Sequence, residues 1–570
     1  VKTIPRVFQT RLKLVDIQNT LADMISHIQP SYYHNARWFQ SKNAAIERFE
    51  IYDAVKVKNN EPGLQIFFII VRFYLHETGD DNQRFQQYYF MPLLVTESKN
   101  QNRFNENPVL EIQACDGSAW VFDGVKHVYY ARMVELLIDS QAKLPGEKGV
   151  FEFYQLKKET VFQINEEDSS FSNSITVVRK DELLKTYRRL EMGVNPELEL
   201  GRFFQNCPDM GVIPIQRGYA VYREYTDNEM TILILQEYVE NTGNTWDYLL
   251  NQVRTFYEYI AEQRDIKAED FLNSNRLSNR LKSHYHPLCR EINQLGQSVS
   301  RLHQLLAEGE ASTFQPEPIS NYDLKIWVEK VLFSYRRFLS GLSGYAGDYR
   351  EKIGWLVNNR QFYEEILTGL PEKINNPGFK IRIHGDLHLG QILKSRDGFV
   401  FIDFEGEPLK TIAERREKFS PLKDVAGMLR SFHYVVNTAF FEYMENSSSK
   451  NSGALEKEKE KQLKTWVKTW KEISTRQFLQ GYFTSYAEAG AGFLPVSTEE
   501  TELLLGLFKL DKAFYELDYE LNNRPNWLPI PLEGLRECLD QLDNCRKHRG
   551  NRDLSCRLGF GGCEGYNKLS

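Results

Sequence analysis

No stretch of this chain is apolar for long enough to cross a bilayer. The nearest approach, LQIFFIIVRFYL at residues 64–75, is too short and carries an arginine, so it reads as a buried strand. The opening VKTIPRVFQTRLKL lacks the apolar segment of a secretory leader, and a cytoplasmic protein with no membrane partner is expected. A dominant charge is missing as well. A net charge of -7 over 570 residues argues against wholesale binding of nucleic acid. Cysteine is scarce: seven in all, with Cys115, Cys207 and Cys289 isolated, as suits a reducing compartment. Cys538, Cys545, Cys556 and Cys563 crowd the end at gaps wider than the close pairs of zinc ribbons, so free thiols are expected there rather than a metal site.

What is present is a globular composition, 41% hydrophobic and 26% charged, long enough for several domains. Residues 1–148 open with a helix, VDIQNTLADMISHI, and continue with strand-like segments such as RFEIYDAVKV, LQIFFIIVRFYL and QQYYFMPLLV between polar turns. Residues 149–239 form a second β-rich block: FEFYQL, SITVVRK, ELLKTYRRL, GYAVYREY and MTILILQEYV are its strands, and NPELELGRFFQNC its one helix. Residues 240–550 turn helical, with apolar spacing of three and four in segments such as TWDYLLNQVRTFYEYIAEQ. One hairpin interrupts them: QILKS, a tight turn at Asp397-Gly398, then FVFIDF. A Ser/Asn-rich stretch and a Glu/Lys run at 446–462 read as an exposed loop and a charged helix face, and residues 551–570 as a flexible tail.

The densest set of reactive side chains is HGDLHLGQIL, residues 384–393. His384 and His388 stand four apart, as in helical metal motifs, but the flanking glycines disfavour a helix and no further ligands occupy the required positions. A metal hydrolase is therefore the remotest reading. Phosphoryl transfer accounts for more residues at once. It needs an aspartate to orient a hydroxyl and take its proton, and oxygen ligands for magnesium from an amide and a second carboxylate. Asp386 supplies the first, Gln391 the amide, and Asp403 the second carboxylate, which the hairpin returns to the mouth of the loop. The nucleotide side needs a strand lysine and a helix glutamate. Lys185 fits, with Glu199 as its expected partner and Glu197 as the alternative.

HGDLHLGQIL followed by FIDFEGEP resembles the aminoglycoside-phosphotransferase-like kinases, and most closely the maltokinases. SPLKDVAGMLRSFHY at 420–434, LLKTYRRLEMGVNP at 183–196, LDKAFYELDYELNNRPNW at 510–527 and NARWFQSK at 35–42 extend the resemblance over most of the chain. It implies an α+β, bilobal fold of the protein-kinase type, with an N-terminal β-rich cap subdomain and a mostly helical C-lobe. It implies ATP and Mg2+ as cofactors, Asp386 as catalytic base, Gln391 and Asp403 as metal ligands, and Lys185 against the phosphates. Glutamine at the first metal position, where many relatives carry asparagine, is typical of maltokinases. No G-x-G-x-x-G precedes Lys185; Ser172, Asn173 and Ser174 stand there as candidate phosphate donors. Gln236, Glu237, Tyr238 and Val239 resemble the hinge whose backbone would hold adenine.

On the acceptor side, Lys512, Tyr515 and Tyr519 fall at i, i+3 and i+7 on one helix face. The resemblance implies that they line a maltose pocket with His384 near the reacting sugar, Arg524 and Trp527 being weaker candidates. Asp424 and Arg430 are expected to support the loop. The implied reaction is ATP-dependent phosphorylation of maltose at its anomeric hydroxyl, with the product feeding glycogen, α-glucan or linked trehalose metabolism. Association with trehalose synthase or an α-glucan maltosyltransferase is implied too. Two alternatives stay open: the same chemistry on another sugar or an aminoglycoside, and a non-catalytic partner of trehalose synthase.

Overall fold

Three antiparallel strands of 14 residues each, β1 (Ala44–Val57), β2 (Leu64–Glu77) and β3 (Arg84–Glu97), belong to one of two seven-stranded sheets among the described residues. The apolar run of 64–75 is β2. Its alternate residues feed two separate cores, which is why it reads as unbroken. Phe67, Ile69, Val71 and Phe73 pack with Ile17, Met24 and Tyr33. Ile66, Phe68 and Ile70 pack with Val134 of helix α1 (Val128–Asp139) and with Phe151 and Phe153 of β4 (Gly149–Gln155). This computed structural model describes residues 6–77, 84–98, 104, 107–157, 170–171, 175–179, 181–205, 211–262, 279–309, 313–341, 349–408, 410–448 and 454–547.

The chain divides into two units, the first comprising Val1–Met210, Pro214–Glu240 and Lys410–Glu414, the second Gly211–Ile213, Asn241–Leu409 and Arg415–Ser570. The second sheet of the first unit contains β4, β5 (Glu182–Thr186), β6 (Gln216–Glu224) and β7 (Glu229–Glu237), with β7 between β6 and β5. After β5 the chain switches sheets, and Arg189–Leu190 pairs with β3. Arg188 sits at the switch. Its buried guanidinium donates to both oxygens of Asp123, at 2.7 and 3.0 Å, and lies 4.4 Å from the Trp38 ring. Two of the sequence motifs, NARWFQSK and LLKTYRRLEMGVNP, thus meet where the Arg188 guanidinium lies on the Trp38 ring. Lys42, at the end of the first motif, donates to the backbone carbonyls of His34 (2.6 Å) and Ala36, closing the helix Pro30–Asn35.

The second unit is mainly helical. Its principal helices are α3 (Asn279–Ala307), α4 (Leu422–Ser448), α5 (Ala454–Glu488), α6 (Thr498–Asn523) and α7 (Pro529–Lys547). α2 (Pro196–Phe204) belongs to the first unit. α3 and α5 cross at Gly296 and Gly481: a Cβ on the first would run into the Phe478 carbonyl, and one on the second into that of Asn293. The expected hairpin is β8 (Ile392–Ser395) and β9 (Phe399–Phe401), with Leu393 opposite Val400. Its loop runs over 396–398, so Gly398, at φ +147°, closes the turn rather than sharing its centre with Asp397. Among the described residues no helix is long and apolar enough to cross a membrane.

A buried ion pair stripped of one member leaves an uncompensated charge. Asp123→Ala is therefore expected to lower the unfolding free energy by about 3–5 kcal/mol, measured by urea denaturation against the parent chain.

Candidate active site

The loop 384–391 is held from beneath by one face of α4. Asp424 accepts the backbone N–H groups of His384 (2.8 Å) and Gly385 (3.0 Å). Seven residues on, the Ser431 hydroxyl accepts from the Leu389 N–H at 3.1 Å. Between them Gly427 leaves room for the Leu387 carbonyl, which a Cβ would strike. Positions 424, 427 and 431 share a face, so this helix reads the loop backbone at three points. Asp424 is 2% exposed. Burial opposes its charge, but the hydrogen bond from His303 and the nearby His384 amide outweigh that and hold the carboxyl below its usual range. His303 Nε2 lies 3.3 Å from Asp424, and its Nδ1 lies 2.8 Å from the Tyr482 hydroxyl of α5.

Gly385 takes φ +84°, which lets the loop reverse and project Asp386. Asp386 Oδ1 accepts from Lys512 Nζ of α6 at 2.9 Å. Gln391 Nε2 donates to Asp403 Oδ2 at 2.9 Å, so the hairpin does bring these two side chains together. Asp403 sits at φ +66°, an uncommon backbone for a residue other than glycine. The amide that donates to Asp403 keeps its carbonyl oxygen as an acceptor. That oxygen and a carboxylate make a hard-oxygen donor set, which suits Mg2+. His388 caps the 3-10 turn Leu389–Gln391, its Nδ1 accepting from the Gly390 N–H at 3.1 Å. Burial lowers its pKa, which keeps the ring neutral for that bond.

His384 does not face an open pocket, contrary to expectation. It is 2% exposed, its Nε2 lies 3.0 Å from the Ile402 carbonyl, and its ring packs on Phe404 at 4.6 Å. The bond to Asp424 fixes its backbone and turns the ring inward, where it ties the loop to the exit of β9.

Lys512, Tyr515 and Tyr519 line one face of α6 as their spacing predicts. Both tyrosines are 46% exposed, so they are not core residues. Burial opposes the Lys512 charge, but Asp386 beside it raises the pKa of the ammonium overall. The residue between these tyrosines that sequence reasoning passed over is Glu516. It points inward and accepts from Arg430 Nε at 2.9 Å, while Arg430 Nη1 meets His433 Nδ1 at 2.8 Å. A carboxylate among the apolar positions 513, 514 and 517 was the available signal.

In the first unit, Lys185 pairs with Glu197 at 2.6 Å, and the Tyr187 hydroxyl donates to the same carboxylate oxygen at 2.8 Å. This corrects the expected pairing with Glu199. Asn195 caps α2 by accepting from the Glu197 N–H at 2.8 Å, and Pro196 fills its first position, so the cap sets Glu197 in phase with β5. Gln236 and Glu237 end β7. The N–H groups of Glu237 and Tyr238 donate to the carbonyls of Ile215 and Asp181, each at 2.8 Å, and Val239 follows them. Ser172, Asn173 and Ser174 lie outside the described residues.

No protein-family model matches the chain. It is 23% identical over 250 residues, 44% of its length, to a glucosamine kinase of Streptacidiphilus jiangxiensis, covering 49% of that protein. It is 27% identical over 152 residues, 27% of its length, to a glucosamine kinase of Mycolicibacterium smegmatis, covering 35% of it. The chain thus spans about half the length, or less, of the curated relatives it matches. A solved glucosamine kinase in complex with glucosamine, ADP and inorganic phosphate superposes with a TM-score of 0.57 at 16% identity, over 91% of this chain and 98% of that one. The chain has a kinase-like fold. Glucosamine kinase in its crystal form A also superposes with a TM-score of 0.57 at 16% identity, over 91% of this chain and 98% of that one.

His433 accepts from Arg430 only as a neutral ring, and burial pushes its pKa down from 6.5 to about 3. The unfolded chain protonates it near 6.5, so the stability it allows is present above that pH and is lost as pH falls toward 3. The melting temperature is expected to drop between pH 7 and pH 5, and to drop less in His433→Asn; thermal melts at both pH values check this.

Proposed function

We propose that this protein is an ATP-dependent sugar kinase whose acceptor is maltose, phosphorylated at the anomeric hydroxyl. The observation that carries the reading is the Asp386–Lys512 pair at 2.9 Å, which joins the loop bearing Gln391 to the helix face bearing Tyr515 and Tyr519. Among the described residues, Lys512 occupies one oxygen of Asp386, and the other is left to accept a substrate hydroxyl. As that hydroxyl oxygen bonds to the γ-phosphorus, the bond from phosphorus to the bridging oxygen of ADP breaks, and the proton passes to Asp386. Lys512 fixes the position of Asp386 until then. Gln391 and Asp403 are the residues that would hold Mg2+, which when bound neutralises phosphate charge. On the nucleotide side the Lys185–Glu197 pair is assigned to the phosphates.

Maltose is preferred for a reason of length. From Lys512 to Tyr519 the helix rises about 10 Å, longer than one pyranose ring, and both tyrosines are half exposed. Aromatic faces can stack on the apolar face of a sugar while hydroxyl tips and the ammonium meet its oxygens. A maltosyl phosphate calls for a transferase that consumes it, in keeping with the implied partners. Glucosamine is the second reading, favoured by the names of the curated relatives.

The test is incubation with ATP, Mg2+ and a sugar panel, with products read by mass. Phosphorylated maltose that has lost its reducing end is expected. Phosphorylated glucosamine without phosphorylated maltose would replace the acceptor, and no phosphorylated sugar at all would sink the reading. Asp386→Asn is expected to slow turnover by about two to four orders of magnitude, measured by steady-state ADP release.

A further inference from the structure

We infer that the acceptor site extends past Tyr519 into a further subsite, built by Arg524 and Trp527, which takes a third ring of an α-linked glucan. The inference rests on the sugar-kinase reading and deepens it. α6 ends at Asn523, and a single 3-10 turn, Pro525–Trp527, follows. The Trp527 N–H donates to the Arg524 carbonyl at 2.8 Å, which folds the indole back toward the helix end.

Arg524 is a long side chain made rigid. Its Nε and Nη2 donate to the two oxygens of Glu520 at 3.0 and 2.9 Å, and the Glu520 side chain is 1% exposed. The fork fixes the guanidinium 4.3 Å from the Trp527 ring centroid and 5.4 Å from that of Tyr519. Trp527 is braced from behind by Tyr434 and Phe441 of α4, with ring centroids 6.3 and 6.2 Å away. The result is an ordered platform in which Tyr519 keeps 46% of its surface and the Arg524 side chain 44%. Order before binding lowers the entropy cost of capturing a ligand.

Charge selects the ligand class. Glu520 neutralises Arg524, so the platform presents the Tyr519 ring and the guanidinium stacked on Trp527, with its N–H donors, without net charge. That suits a neutral polyhydroxylated ring and gives no hold on a phosphate or a nucleic acid. Geometry sets the direction: Asp386 and Lys512 mark the reacting end, Tyr515 and Tyr519 follow along one face, and Arg524 adjoins the Tyr519 ring at the helix end. The reducing end of a glucan therefore lies at Asp386, with successive rings running toward Trp527.

The test measures calorimetric affinity and kcat/KM of the full chain for maltose and for maltotriose. Maltotriose is expected to bind about two- to tenfold more tightly than maltose, and Trp527→Ala to bring the ratio near one. Arg524→Gln, which breaks the fork without opening the packing behind Trp527, is expected to lower the ratio as well and serves if Trp527→Ala fails to fold. Maltotriose bound no better than maltose, or a ratio unmoved by both variants, would overturn the subsite while leaving the kinase reading in place. Absence of any sugar binding or phosphorylation would overturn both together.

Discussion

The loop 384–391 depends on one buried carboxylate. Asp424 takes two consecutive backbone N–H groups, those of His384 and Gly385, and so dictates where the chain turns before Asp386. A charge in such a place is tolerated only when its hydrogen bonds are filled. His303 completes the set, and Tyr482 holds His303. Each member is fixed by the next, so the orientation of Asp386 is decided by helices that it does not touch.

α4 does this work on two sides. Its 424–427–431 face carries the loop. Its neighbouring face carries Arg430, which grips Glu516 and through it positions α6. Asp386 and Lys512 come from segments 126 residues apart, yet both are located relative to the same helix. Their separation of 2.9 Å is set through packed contacts from one reference element, which is how a carboxylate and its counter-charge can be placed without direct linkage in sequence.

That explains which parts of the site were legible in the sequence. Periodicity is local, and it placed Lys512, Tyr515 and Tyr519 on one face, put the hairpin after the loop, and identified 64–75 as a strand. Motif likeness picked out Asp386, Gln391 and Asp403. What stayed hidden depends on phase or on distance. Glu197 and Glu199 both lie in the first turn of α2, and only the Asn195 cap decides which one reaches Lys185. The inward turn of His384 follows from Asp424, forty residues away. Arg188 pairs with Asp123, 65 residues away, and lies on the Trp38 ring of another motif, and no local pattern announces either contact.

The crossing of α3 and α5 gives this dependence an unexpected address. Tyr482 follows Gly481 directly, and it reaches His303 because the two backbones approach to a distance that a single methyl group would prevent. The route from Tyr482 through His303 to Asp424 and the loop therefore begins at two residues that have no side chain. In hereditary terms, a drift to alanine at position 296 or 481 is a lesion of the loop 384–391, although neither residue touches it. Part of what holds this loop in place is empty space.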